Sequence, residues 1–212
     1  MTGVQTCALP ISLAFRTGHG YWGWRFAGLA LHYVQDLTQP YHANLAPGDS
    51  TFRMISANLL AMAGLPRQRD DLIVLLSNRH LALERYQNQL VMAAAKARQD
   101  TALELALRKS DEDASYPGWS SLYARDVVAR EAYAVGDKMA QAIVAAMPAN
   151  YVSDPAFDFG VKEAGIDMLD ALSRQDNTKR AELDRLIAEV LGHFGAHSRN
   201  AVRGILKAGA KP

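Results

Sequence analysis

Residues 31–43 read LHYVQDLTQPYHA, a segment with helical periodicity that ends in a proline turn. His32 and Asp36 stand four positions apart in it, so on a helix their side chains project from one face. Imidazole and carboxylate groups are typical zinc ligands. Pro40 cannot continue the helix and restricts the residue before it, so we expect the chain to turn there and to bring His42 back toward the same pocket.

The same spacing recurs downstream in His80 and Glu84, which a helix would again present on one face. A lone histidine on the apolar side of a helix is more often a packed side chain than a metal ligand. Here three histidines, two carboxylates, a repeated spacing and a Gln-Pro turn all agree with one arrangement. The sequence therefore predicts a metal site.

The rest of the chain also has the periodicity of helices, and Pro47-Gly48-Asp49 marks residues 44–50 as a loop. Strand-like alternation of useful length is absent from the sequence. We therefore predict an all-α fold, a multi-helix bundle. The predicted helices cover 24–38, 51–63, 69–98, 101–109, a segment capped by Ser120 or Ser121 that runs to 146, 157–173 and 179–207.

Length and composition limit the class of protein. The chain has 212 residues, 49% of them hydrophobic, which is enough for one domain with a substantial core. No apolar run in the sequence approaches the length needed to span a bilayer. With 23 basic and 22 acidic residues, the chain is nearly neutral and has no large net positive charge that would attract nucleic acid or anionic membranes. Composition leaves the oligomeric state open.

Residues 1–11, MTGVQTCALPI, match codon for codon the translation of a common short-read sequencing adapter, with GTG read as the start. We therefore expect them to be an artefact and exclude them from the fold prediction. A single domain would then occupy residues 12–212 and lack its N-terminal part. The only cysteine, Cys7, lies in the excluded segment, so cysteine usage gives no information about compartment.

The pattern His-x3-Asp-x5-His, with Gln-Pro before the last histidine and His-x3-Glu further on, resembles the zinc-dependent bacterial phospholipases C. The related single-strand-specific zinc nucleases share it, with Asp in the final place. The match covers roughly residues 24–90. The resemblance implies a helical bundle of the phospholipase C type and a secreted or periplasmic enzyme, although no signal peptide is present in this chain.

By this resemblance, His42, His80 and Glu84 hold one zinc and leave its other positions open. His32 and Asp36 belong to the shell of a second zinc, and Asp36 is placed to bridge to a third, which makes it the candidate catalytic residue. The family's other ligands, an upstream Asp and His and an N-terminal Trp and His, have no match here. We therefore expect about one well-held zinc and little activity in this chain, against three zinc ions in an intact relative.

The implied reaction is hydrolysis of a phosphodiester by metal-bound hydroxide. A phospholipid headgroup ester is the favoured substrate because the last ligand is Glu84 and not Asp. Single-stranded nucleic acid is the alternative, but it would need an aromatic platform and a basic groove, and neither is evident. A non-catalytic helical scaffold or lipid-binding module with a structural zinc is the third interpretation. The stretch between His42 and His80 is longer than expected for the phospholipases. This length counts against the phospholipid substrate more than against the metal site.

Other histidines and tryptophans are less well supported as functional residues. His193 and His197 repeat the four-residue spacing near the C-terminus, but nothing else in that segment supplies a third ligand, so we predict a structural role for them. His19 is expected to lie in a loop. Trp22 and Trp24 could meet a lipid headgroup, but aromatic residues at the start of a helix more often pack against other side chains.

Overall fold

In the computed structural model, residues 3–209 are described, and side chains are described for residues 9–208. All regular structure in this range is helical, which confirms the all-α prediction. The α-helices are α1 (Gly3–Arg16), α2 (Gly20–Asp36), α3 (Pro40–Ala43), α4 (Thr51–Met62), α5 (Arg67–Ala97), α6 (Ala102–Arg108), α7 (Ala129–Ala146), α8 (Ala149–Val152), α9 (Phe159–Lys162), α10 (Met168–Ser173) and α11 (Asn177–Gly209). Short 3-10 turns cover Asp113–Ser115 and Glu163–Gly165, and a π-helix covers Ala124–Val128.

The backbone divides into two compact units. Unit 1 contains the described residues up to Ala43, together with Glu104–Ala134 and those from Ala188 onward. Unit 2 contains Asn44–Leu103 and Val135–Ile187. Each unit has its own buried apolar side chains. None of the helices described between residues 3 and 209 combines the length and the apolar character needed to cross a membrane.

In unit 1, α1 lies against α2. Small side chains on α2 allow the close approach of bulkier neighbours, as expected for tightly packed helices. A buried apolar cluster forms here from Ile11, Ala27 and Ala30, and Phe15, Phe26 and Ile205 pack against it. Because α1 begins at Gly3, part of the segment that we excluded as an adapter product is helical. Its origin stays a prediction.

In unit 2, α5 is the central element, and α4, α8, α9 and α10 all contact it. Its buried apolar side chains include Leu72, Ala82, Leu83 and Tyr86, which are spaced as one face of a helix. The predicted bounds of α4 and α5 agree with the structure to within two residues. Ser50 accounts for the start of α4, because its side chain accepts a hydrogen bond from the N–H of Arg53.

The prediction of one helix over 157–173 was wrong, because α9 ends in the 3-10 turn Glu163–Gly165 and a separate helix, α10, begins at Met168. Asp158 caps α9 by accepting a hydrogen bond from the N–H of Val161. Asp167 caps the start of α10 by accepting a hydrogen bond from the N–H of Asp170. An aspartate in this position favours the first turn of a new helix over continuation of the old one.

The predicted serine cap near residue 120 was also wrong. The helical run starts instead as the π-helix Ala124–Val128, and the residue before it, Tyr123, makes no side-chain cap. This π-helix leads directly into α7. Wide turns of this kind are often found where a helix carries functional or tightly packed side chains.

Candidate metal centre

The last turns of α2 carry the first predicted pair. His32 Nε2 lies 3.3 Å from Asp36 Oδ2, and both residues are on the side of the helix that faces solvent, with the His32 side chain 67% exposed. The opposite side of α2 is anchored by Val34, which is buried with Tyr123 and Val128. The spacing of four residues therefore brings the imidazole and the carboxylate together, as the sequence predicted.

A short, well-bonded turn connects α2 to α3. The N–H of Gln39 donates to the carbonyl of Asp36 at 2.9 Å, and the N–H of His42 donates to the carbonyl of Gln39 at 3.0 Å. The side chain of Thr38 is buried and donates to the carbonyl of Gln35 at 2.7 Å. Pro40 begins α3, a position that suits proline because the first helical N–H needs no partner. This turn places His42 on α3, close in the chain to α2.

The second predicted pair lies in the middle of α5. His80 Nε2 and Glu84 Oε1 are 2.9 Å apart. The His80 side chain is one quarter exposed, and that of Glu84 is 44% exposed. This pair also follows the predicted spacing, and it leaves the carboxylate accessible from outside.

Polar side chains on α5 hold this part of the helix in place. Asn78 is buried, donates from Nδ2 to the carbonyl of Phe157 at 2.6 Å and accepts from the N–H of Phe159 at 2.9 Å. Gln89 accepts from the N–H of Met168 at 2.7 Å. These residues flank the His80–Glu84 pair on both sides. They hold α5 against the starts of α9 and α10, and the sequence analysis did not single them out.

The three side chains assigned to one zinc are divided between the two units. His42 lies on α3 in unit 1, and the paired His80 and Glu84 lie on α5 in unit 2. Two imidazoles and a carboxylate form one of the donor sets found in catalytic zinc sites. The donor set therefore fits zinc.

His32 and Asp36 join no such three-ligand group among the residues that the structure describes. They form a pair, which is half of the shell that the resemblance assigns to a second zinc. Asp36, the candidate catalytic residue, is partly exposed, with 36% of its side chain accessible. Its bridging role stays a prediction.

The C-terminal histidines lie in a separate polar cluster in unit 1. His197 is almost fully buried, with Nδ1 2.9 Å from the Tyr123 hydroxyl and Nε2 2.9 Å from Glu131 Oε2. Tyr116 donates to the same Glu131 oxygen at 3.3 Å. His193 Nδ1 is 3.9 Å from it. The sequence analysis missed Glu131, because nothing in the chain near residue 131 points to a partner 66 residues away.

Charge within this cluster favours an ionised Glu131. Burial raises the pKa of its carboxyl, but the hydrogen bond from His197 and the proximity of His193 outweigh burial and hold the pKa below its usual range. Burial, followed by the charge of Glu131, raises the pKa of Tyr116. An ionised carboxylate only accepts, so His197 donates from Nε2, while its Nδ1 lies within hydrogen-bond distance of the Tyr123 hydroxyl. Every member is satisfied, which suits a structural role.

No known protein family, curated protein or solved structure matches the chain.

Proposed function

We propose that His42, His80 and Glu84 hold a zinc ion that serves phosphodiester hydrolysis, in a helical bundle of the phospholipase C type. The observation that carries the proposal is the His80–Glu84 pair on α5, in which Nε2 and Oε1 lie 2.9 Å apart, and His42 would be the third donor. A purely structural zinc is usually enclosed by four protein ligands. Here the group has three, and the Glu84 side chain is 44% exposed, which favours a site with room for substrate.

The residues have distinct parts in this proposal. His42 and His80 offer neutral imidazole nitrogens, while the Glu84 carboxylate offsets part of the metal charge and limits the affinity for anionic product. When bound, zinc lowers the pKa of water and neutralises the charge that builds up on phosphoryl oxygens. Asp36, paired with His32, would contribute to a neighbouring zinc. Because the ligands that the resemblance assigns to the second and third zinc ions are incomplete in this sequence, we expect one well-held zinc and weak turnover.

Zinc binding tests the proposal directly. We expect about one zinc per chain after dialysis against trace metal, and loss of that zinc in both His42→Ala and His80→Ala. His19→Ala is the matched control, since this histidine precedes α2 and belongs to no three-ligand group among the described residues. A wild-type chain without zinc, or a His80→Ala chain that keeps it, would overturn the proposal.

Parallel assays on phosphatidylcholine and single-stranded DNA would assign the substrate class. Any phosphodiester cleavage should depend on added zinc and should disappear in His80→Ala. Cleavage of the lipid alone would support a phospholipase, and cleavage of DNA alone would support the nuclease alternative. Cleavage that persists without His80 would come from another source and would contradict the proposed catalytic site.

A further inference from the structure

A small cavity lies within unit 1, between α11 and the segment that follows α6. Its volume is about 280 Å³, near the lower end of the range of roughly 300 to 1,000 Å³ that is typical of ligand pockets. Ala188, Gly192 and Ala196 line one side, and their spacing of four residues places them on one face of α11. We call these three residues the apolar wall. Tyr116 and His193 add polar side chains to the lining, so the cavity combines apolar and polar groups as small-molecule sites do.

Arg199 ties the two sides of the cavity to each other. Its guanidinium donates to the carbonyl of Leu107 at 3.0 Å and to Asp113 Oδ2 at 2.8 Å, which joins the segment after α6 to α11. Gly195 permits this close approach, because a Cβ added there would lie 2.1 Å from the carbonyl oxygen of Leu107. The cavity is therefore held in shape by the protein itself, and a ligand would bind without ordering its walls.

Carboxylates outnumber cationic groups in the lining. Among the described residues that line the cavity, Glu112, Asp113 and Glu189 are acidic and Lys109 is basic. Lys109 pairs with Glu112 at 2.5 Å, and Asp113 pairs with Arg199 at 2.7 Å. These pairs leave an excess of negative charge around the cavity.

Glu131 adds to this charge beside the lining. Tyr116 donates to its Oε2 at 3.3 Å, and His193 Nδ1 lies 3.9 Å from the same atom. Its Oε1 accepts no hydrogen bond from the residues that the structure describes. After burial, the charge of Glu131 is the largest of the effects that raise the pKa of Tyr116, so the potential at this hydroxyl is negative. A positive charge is stabilised in such a place and a negative charge is repelled.

We propose that this cavity binds a small primary amine as its ammonium ion, with a short aliphatic chain against the apolar wall. An ammonium group supplies three donors and a positive charge, which complement the carboxylates of Glu112 and Glu131. A bare metal ion fits less well, because His193, His197 and Glu131 do not form a three-ligand group among the described residues. The apolar wall also favours an organic cation. The site shares no residue with the proposed zinc ligands, so either proposal can fail without the other.

The test is an NMR titration of the whole chain with n-butylamine at pH 7, where the amine is protonated. We expect saturable shifts of the His193 ring protons and of the backbone amides of residues 188–196. The dissociation constant should be at least about tenfold lower than for 1-butanol, which has the same chain without the charge. Butyrate, which has the opposite charge, should cause no saturable shift.

Two variants test the charge and the space separately. Glu131→Gln removes the carboxylate charge and should raise the dissociation constant of n-butylamine at least about tenfold. Ala188→Leu should have the same effect by filling the cavity from the apolar wall, and it leaves the hydrogen bonds of Glu131 in place. Asp126→Asn is the matched control, because it removes an exposed carboxylate of unit 1 outside the lining and should not alter binding.

Thermal unfolding of each variant shows whether the fold is retained. The proposal is overturned if the wild type does not bind n-butylamine, or if it binds 1-butanol equally well. It is also overturned if Ala188→Leu, with its fold retained, binds the amine as the wild type does.

Discussion

The buried ring of His197 lies between two polar partners, with Glu131 Oε2 2.9 Å from Nε2 and the Tyr123 hydroxyl 2.9 Å from Nδ1. Replacing it by alanine would leave a cavity and remove a hydrogen-bond partner from Glu131 and from the Tyr123 hydroxyl. We therefore expect His197→Ala to lower the free energy of unfolding by about 3 kcal/mol. Urea denaturation followed by circular dichroism measures this change.

His193 provides the comparison, since it is one turn earlier on α11 and its side chain is about a quarter exposed. His193→Ala should lower the unfolding free energy by less than about 1 kcal/mol. Neither substitution should alter zinc content. Equal losses of stability, or loss of zinc in either variant, would contradict the structural role assigned to His197.

Asp113 anchors the C-terminal helix of unit 1. Its carboxylate accepts from Arg199 Nε at 2.8 Å, from Arg199 Nη2 at 2.7 Å and from Arg203 at 2.7 Å. The hydrogen bonds from Arg199 are the main reason that the pKa of Asp113 falls from 3.8 to about 2. A carboxyl with a depressed pKa in the folded state stabilises the fold when it is ionised.

The sign of the pH dependence follows from this shift. The contribution of Asp113 is fully present above its unfolded pKa of 3.8 and is lost as pH falls toward 2. Asp113→Asn should therefore unfold with a deficit of about 2 kcal/mol above pH 5, and the deficit should shrink below pH 4. Asp126→Asn, at an exposed pair with Arg125, should show almost no deficit at any pH. A loss of unfolding free energy in Asp113→Asn that grows as the pH falls would contradict this prediction.

Local chemistry explains what could be predicted from the sequence. The bounds of α4 and α5 follow from the Ser50 cap and from apolar spacing, both of which are visible within one segment. The two histidine–carboxylate pairs also form as expected, because side chains four residues apart on a helix are neighbours by geometry alone. Their existence needs no knowledge of the tertiary structure.

Partners distant in sequence explain what could not be predicted. The break before α10 is supported by Gln89, whose side chain accepts from the N–H of Met168 across 79 residues. Glu131 reaches His197 across 66 residues. Apolar periodicity gives no information about such pairings, because each depends on how separate segments pack. Asp167, which caps α10 inside 157–173, was a local signal of this break.

Glu84 offers a test of charge at the proposed zinc site. Glu84→Gln keeps a carbonyl oxygen of similar reach but removes the anionic ligand, so zinc affinity should fall at least about tenfold. The unfolding free energy of the zinc-free protein should change by less than about 1 kcal/mol, because the side chain is partly exposed. Isothermal titration with zinc gives the affinity. Glu182→Gln, an exposed substitution on α11, should leave it unchanged, and an unchanged affinity in Glu84→Gln would exclude this residue as a ligand.

Alanine substitutions at two glycines near the ends of α4 would distinguish the effect of backbone strain from that of steric overlap. Gly48 and Gly64 both have positive φ angles, +76° and +87°, which favour glycine. A Cβ added at Gly48 would lie 2.6 Å from Cβ of Ala140, whereas one added at Gly64 would meet nothing within 4 Å. Gly64→Ala should therefore lower the unfolding free energy by about 1 kcal/mol through strain alone.

Gly48→Ala should lower it by about 3 kcal/mol, because overlap with the backbone-fixed Cβ of Ala140 adds to the same strain. The substitution should also disturb the hydrogen bond that the N–H of Gly48 donates to Asp137 at 2.9 Å. Urea denaturation of both variants under one set of conditions measures the difference. Equal losses at the two glycines would mean that the loop before α4 moves away from α7 without penalty, and that α4 is not held at its N-terminal end.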